Sequence, residues 1–409
     1  MVSTLRKKSR ITKRNKRNKN RIFKQKSKHV LGGRKKMTNK RKSKGFLKML
    51  GGGIDKKFEK NILLIIDPQN DFSDAKEPHR TKPGSLAVSG ASADYERIIE
   101  LIEKNKDNID EIHVSLDTHT SRHIGHPAFW DVIDQTGTRV NATDEIGFSI
   151  LSIDEKDEIT GFNIIDQITR IFFPRKYDEE SYSDLCKYVY EYLRFFKVDK
   201  DGKFDERNKH GQVAWIWKDH CLEGTDGHKI ATELQTKLDE FSQIEGKIVK
   251  YHIKGQNNLA EMYSIFSAEF LKKDISDPSL YDKIKPYEYD GSKADKPYNK
   301  TGSESYKEAS EESLNLSIGP NEDLMKQLLG ENNRVFICGE ARTHCVKSSA
   351  IDLMEYAETL KDFNKERIVI MPEMSSPIQG AVDDLESITN QKGFVVYREN
   401  QSENEKDNE

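Results

Sequence analysis

Five apolar stretches of strand character each lead into a group that can do chemistry, and this constrains the fold more than any other feature of the chain. Asn61–Ile66 runs into Asp67, and Glu111–Leu116 into Asp117 and His119. Trp215–Trp217 leads to His220 and Cys221, Lys247–Ile253 to Lys254, and Val335–Cys338 to a Gly-Glu-Ala turn ahead of Cys345. Continuous apolar runs of this kind read as strands buried on both faces. Helical spacing falls between them, at Tyr95–Lys104, His228–Phe241, Tyr263–Phe270, Thr343–Tyr356 and Gln379–Thr389, with further strands at Ile368–Met371 and Phe394–Tyr397. Thr343 is placed to cap its helix. Strands alternating with helices predict a three-layer α/β/α fold around a mainly parallel sheet. In such sheets catalytic groups gather at the carboxyl ends of the strands.

Charge divides the chain. Of its 67 Lys/Arg and 69 Asp/Glu, residues 1–50 hold 21 of the former and none of the latter. This block is polar and cannot bury a core, so residues 1–57 are expected to be a disordered basic tail ending in the hinge Gly51-Gly52-Gly53. Such a run suits a polyanion, a nucleic acid or a nuclear-import contact, or simply keeps the protein in solution. Residues 58–400 form the folded domain. Its insertions are expected at about 131–210, irregular and charged with a helix near Asp184–Phe196, and at about 272–320, a polar stretch. Residues 401–409 are an acidic end. No apolar stretch is long enough to span a bilayer, and no signal peptide is recognisable. Cys186, Cys221, Cys338 and Cys345 are too few for a disulfide scaffold, which predicts a reducing intracellular setting, cytoplasmic or nuclear, rather than secretion.

Cys345 falls in the first turn of a predicted helix, where the helix N-terminus lowers a thiol's pKa and the N–H groups of Ala341 and Cys345 are candidate oxyanion donors. A nucleophilic thiol needs a base and a balancing charge, and Asp67 and Lys254 supply them. Singly, these are a small buried cysteine, a turn aspartate and a solvated lysine; together they point to a site. Cys338 reads as core, while Cys221 is ambiguous. Asp117, His119 and His220 make a three-ligand set for one divalent ion, zinc or else iron or manganese, with positions left open for water or substrate. His123 and His126 rank behind them as supporting groups.

Read in order, these segments resemble the nicotinamidase (pyrazinamidase) branch of the isochorismatase-like cysteine hydrolases, whose domain is Rossmann-like. The resemblance rests on Asp67-x-Gln69-Asn70-Asp71-Phe72, Asp117-x-His119-x-x-x-His123, Trp217-x-x-His220-Cys221, Lys254-Gly255 with Tyr263-Ser264-x-Phe266, and Gly339-x-Ala341-x-x-x-Cys345-Val346. It implies an Asp67–Lys254–Cys345 triad, an oxyanion hole at Ala341 and Cys345 after a cis Glu340–Ala341 peptide, and a metal on Asp117, His119 and His220 that takes the pyridine nitrogen. Phe72 would line the ring pocket. The implied reaction is hydrolysis of nicotinamide to nicotinate and ammonia through a thioester, a step of NAD salvage. The alternatives are a related hydrolase of another small amide, or an inactive member serving nucleic-acid binding or assembly. The chain departs from the family at Lys218, where proline is usual, at Thr118, where an aromatic is usual, and at Gly125-His126, where Ser-Phe is usual. The basic tail is not a family feature.

Overall fold

The computed structural model describes residues 58–74, 82–134, 136–176, 180–199, 201–284, 320–330 and 332–398. The expectations for residues 1–57, for 401–409 and for most of the second insertion lie outside these residues. In chain order the strands are β1 (Asn61–Ile66), β2 (Glu111–Asp117), β3 (Trp130–Ile133), β4 (Arg139–Asn141), β5 (Ser149–Ile153), β6 (Ile159–Asn163), β7 (Thr169–Pro174), β8 (Trp215–Ile216), β9 (Ile248–Lys254), β10 (Arg334–Gly339), β11 (Ile368–Ile370) and β12 (Val395–Val396). The helices are α1 (Ala91–Asn105), α2 (Tyr182–Phe195), α3 (Thr232–Ser242), α4 (Ser279–Ile284), α5 (Glu322–Leu329), α6 (Cys345–Thr359) and α7 (Leu385–Gln391).

Four of the five apolar runs assemble as expected, with β11 and β12, into a parallel sheet of order β12-β11-β10-β1-β2-β9, whereas the run at Trp215–Ile216 pairs antiparallel with β5 outside it. β1 is buried at every position because strands flank it and layers cover both faces. Each of its isoleucines and leucines contributes roughly 1.5–3 kcal/mol by leaving water. α1 sets Tyr95, Ile98, Leu101 and Ile102 at helical spacing on its buried side. The chain begins this sheet in the middle, runs outward through β2 to β9, then crosses back to place β10 on the other flank of β1. The strand order therefore reverses between β1 and β10, and an open α/β sheet leaves a crevice at such a point. Asp67 follows β1 and Cys345 opens the helix after β10, so both stand there.

The first insertion departs from expectation. Residues 130–174 fold into β3 to β7, which join β8 in a second sheet, antiparallel, of order β4-β3-β7-β6-β5-β8. α2 packs with it around a separate core that includes Phe129, Trp130, Phe172, Tyr188, Tyr192 and Phe270. The strands are short, and alternation is visible only in burial: β5 and β6 each bury their first, third and fifth residues.

Two local expectations fail. Tyr263–Phe270 is irregular rather than helical. The N–H of Phe266 is taken by Ser264 Oγ, and that of Ile265 by Ser349 Oγ, which removes helical bonds before they form. Thr343 does not cap α6; His344 holds that position, and the Thr343 hydroxyl accepts the N–H of Ile378 and contacts His344 Nδ1.

Candidate active site

Register places the first two charged groups. Asp117 and Lys254 are paired residues of β2 and β9, at the carboxyl ends of both strands. Lys254 is 0 % exposed. Its ammonium lies 2.9 Å from Asp67 Oδ2, 2.9 Å from Asp117 Oδ1, 3.0 Å from the Met262 carbonyl and 3.5 Å from Cys345 Sγ. Burial alone would discharge it, but Asp117, Asp67 and Cys345 outweigh burial and hold it well above the ordinary lysine range. It is a fixed cation.

Asp67 adopts φ 43° as it turns out of β1. Its N–H donates to Ser115 Oγ at 3.0 Å, and that hydroxyl donates to Asp67 Oδ1 at 2.6 Å. Burial raises the Asp67 carboxyl above the usual range, against the pull of Lys254. The Cys345 thiol is also pushed up, first by burial, with the carboxyls of Asp67 and Asp117 adding to it and Lys254 opposing. The sequence had suggested a lowered thiol pKa at the helix N-terminus; the buried site reverses that direction. Cys345 is thus favoured as a thiol rather than a thiolate.

The turn before Cys345 is closed tightly. β10 ends at Gly339 with φ 106°, where a Cβ would stand 2.1 Å from the Ile66 carbonyl oxygen, so only glycine lets the two chains meet. Glu340 N–H donates to that same oxygen at 2.8 Å. The Glu340–Ala341 peptide is cis. The Ala341 carbonyl accepts from the N–H groups of His344 and Val346, which brings the buried Ala341 and Cys345 together at the head of α6.

Four buried imidazoles surround Asp117. Two ligand sets can be drawn, Asp117–His119–His220 and His119–His123–His126. Hydrogen bonds decide between them. His119 Nδ1 donates to the Gly255 carbonyl at 2.9 Å and His220 Nδ1 to the Lys218 carbonyl at 2.8 Å. Carbonyls only accept, so in the neutral form of each ring Nε2 carries the lone pair. The two Nε2 atoms face Asp117 Oδ2 at 2.9 and 3.5 Å. Two lone pairs and a carboxylate oxygen aimed at one point call for a proton or a cation between them, and this donor set fits a divalent ion. His123 is spent: its Nδ1 accepts the Gly125 N–H and its Nε2 donates to the Ala260 carbonyl.

Phe72 closes one side, its ring 5.7 Å from that of His220. Trp217 donates its indole N–H to Tyr263 Oη at 3.2 Å, and the His344 ring meets both edge-on. Burial pushes His344 down to about 3, so it is neutral. Cys221 is buried with its N–H on Asp71 Oδ2, and Cys338 lies inside β10; burial raises both thiols and neither adjoins Lys254 in the way Cys345 does.

Sequence reasoning gave no role to Ser115, Gln69 or Asp71. Ser115 shares a strand face with Asp117, two residues away, and that spacing was a usable signal. Gln69 exchanges both amide groups with the Asp117 backbone, Nε2 to its carbonyl and Oε1 from its N–H, each at 2.8 Å. Asp71 holds the loop that carries His220 through the Cys221 N–H at 2.8 Å.

No protein-family model matches the chain, and no curated protein matches it. The solved structures it resembles include amidases. The yeast nicotinamidase aligns over 82 % of this chain and 98 % of its own, at 15 % identity and a TM-score of 0.42. A pyrazinamidase of Pyrococcus horikoshii, in complex with zinc, aligns over 83 % and 99 %, at 14 % and 0.36. The N-carbamoylsarcosine amidase of Thermoplasma acidophilum aligns over 84 % and 99 %, at 13 % and 0.34.

Proposed function

We propose that this protein is a metal-dependent cysteine amidohydrolase, with nicotinamide as substrate and nicotinate and ammonia as products. One observation carries the reading: a single buried ammonium, Lys254, touches a candidate base, a candidate nucleophile and the carboxylate of a metal-ligand set at once. Packing alone gives no reason to bury two carboxyls, a lysine and a thiol in one place, since each pays a desolvation cost.

In this reading Asp67 takes the Cys345 proton, and the thiolate forms a C–S bond to the amide carbon. Lys254 offsets the charge left on Asp67 and sulfur in the resting and reacting states. The oxyanion lies against the N–H groups of Ala341 and Cys345. Asp67 returns the proton to the nitrogen, the C–N bond breaks and ammonia leaves. Asp67 then accepts a proton from water, whose oxygen attacks the thioester carbon; the C–S bond breaks to give the acid, and Asp67 returns the proton to the Cys345 sulfur. Asp117, His119 and His220 would hold the divalent ion, which when bound offers open positions to a donor atom such as a ring nitrogen. Phe72 supplies an aromatic wall beside His220. The support for nicotinamide itself is the motif resemblance together with this juxtaposition of an acylation centre and a nitrogen-accepting metal set.

Acid quench during turnover, followed by peptide mass analysis, tests the nucleophile. The nicotinoyl adduct is expected on the peptide bearing Cys345 and is expected to vanish in Cys345→Ala along with ammonia release. Turnover that persists in Cys345→Ala removes the thiol from the mechanism.

A further inference from the structure

We propose that His126 is a positioning residue for the metal set: it accepts a hydrogen bond from His220 and so fixes the ring that presents Nε2 to the ion. The proposal rests on the metal reading above and adds a residue to it.

His126 is 0 % exposed. Its Nδ1 lies 3.2 Å from the Thr120 carbonyl, which can only accept, so the proton sits on Nδ1 and Nε2 keeps its lone pair. That Nε2 stands 3.1 Å from His220 Nδ1. The Lys218 carbonyl, 2.8 Å from the same Nδ1, requires a proton there. The two constraints agree: one N–H of His220 is shared between Lys218 O and His126 Nε2, and the opposite nitrogen of His220 faces Asp117 Oδ2 at 3.5 Å. A carbonyl alone leaves the His220 ring free to swing about that bond. A second acceptor on an immobile ring takes this freedom away and makes the ligand nitrogen more basic.

His126 is itself held fast. Its N–H donates to the His123 carbonyl at 2.8 Å, the neighbouring Gly125 carbonyl accepts the Trp217 N–H at 2.8 Å, and its ring meets those of His119 and His220 edge-on at 5.0 and 4.9 Å. Asp219 Oδ1 lies 3.7 Å from Nδ1. A carboxylate there favours the Nδ1–H form and strengthens Nε2 as an acceptor. His123, equally buried, reaches no ligand nitrogen in this way.

The test uses full-length protein stripped of metal, with Zn2+ affinity measured by competition against a chromophoric chelator. His126→Phe keeps a ring of similar size without an acceptor and is expected to bind roughly 10- to 100-fold more weakly. His126→Gln returns an acceptor and is expected to recover most of that loss. The visible spectrum of the Co2+-loaded protein should shift in His126→Phe and move back towards wild type in His126→Gln. Should the Phe variant not fold, judged by circular dichroism, His126→Leu carries the same expectation. Wild-type affinity in His126→Phe, or equal losses in Phe and Gln, overturns the proposal. His220→Ala separates it from the underlying reading: if His220→Ala loses metal while His126→Phe does not, only the role of His126 falls, whereas wild-type protein that binds no Zn2+ overturns both.

Discussion

At the residue scale the site is organised by Lys254. Its ammonium is the common partner of Asp67 and Asp117, so its removal leaves two buried carboxyls without their cation. Breaking a buried ion pair from one side costs about 3–5 kcal/mol. Lys254→Ala is therefore expected to lower unfolding free energy in urea by about that amount and to abolish turnover; unchanged stability would mean that the carboxyls are compensated elsewhere. The residues of this candidate cluster were legible because each lies beyond an apolar run. The protonation of Cys345 was not, since a helix N-terminus is visible in sequence whereas the burial that overrides it is produced by distant segments. Gln69 has no role legible in the sequence, because nothing there says that its amide would find the Asp117 backbone.

At the scale of elements, strand ends do the positioning. Gly255 follows β9 with φ 78°, and a Cβ there would stand 2.7 Å from Asp117 Oδ1 and 2.8 Å from His119 Cε1. Gly255→Ala is expected to cost roughly 1–3 kcal/mol from backbone strain and to displace two candidate ligands, so that metal content measured by elemental analysis falls well below stoichiometric. Full metal content would contradict the assignment of Asp117 and His119. The parallel strands were legible because β1 and β10 are uninterrupted apolar runs, which both faces of a covered sheet require. The antiparallel strands of residues 130–174 escaped because each is short and partly exposed, and the turns between them are rich in charge. Asp154, for example, binds the N–H groups of Lys156 and Glu158 and shapes one of these turns with a side chain that reads as mere surface charge.

At the scale of the whole molecule, a buried imidazolium ties the two cores together. His210 Nδ1 lies 2.6 Å from Glu269 Oε2, next to Phe270 of the second core, and its Nε2 lies 2.8 Å from Asp352 Oδ1 on α6. Burial opposes its charge, but Glu269 and Asp352 outweigh burial and raise it to about 10. The folded-state value exceeds the unfolded value of about 6.5, so this stabilisation is full below pH 6.5 and is lost as pH rises through 10. At about 1.4 kcal/mol per pH unit, thermal stability should decline over that window, and His210→Gln should flatten the decline. Equal slopes in both proteins would remove His210 as the cause. The basic block at residues 1–50 belongs to this scale too. Its deletion is expected to leave turnover unchanged and to weaken binding to heparin in a salt-dependent way; a matching loss of turnover would make it part of the enzyme.

Among the described residues no helix is long and apolar enough to cross a membrane. In the proposed reaction the Asp67–Lys254–Cys345 cluster hydrolyses an amide beside a metal set. Ammonia release from nicotinamide, measured with and without a chelator, tests it most directly. The expected result is release that the chelator suppresses and that Zn2+, Fe2+ or Mn2+ restores. Metal-loaded protein that releases no ammonia from nicotinamide would contradict the account.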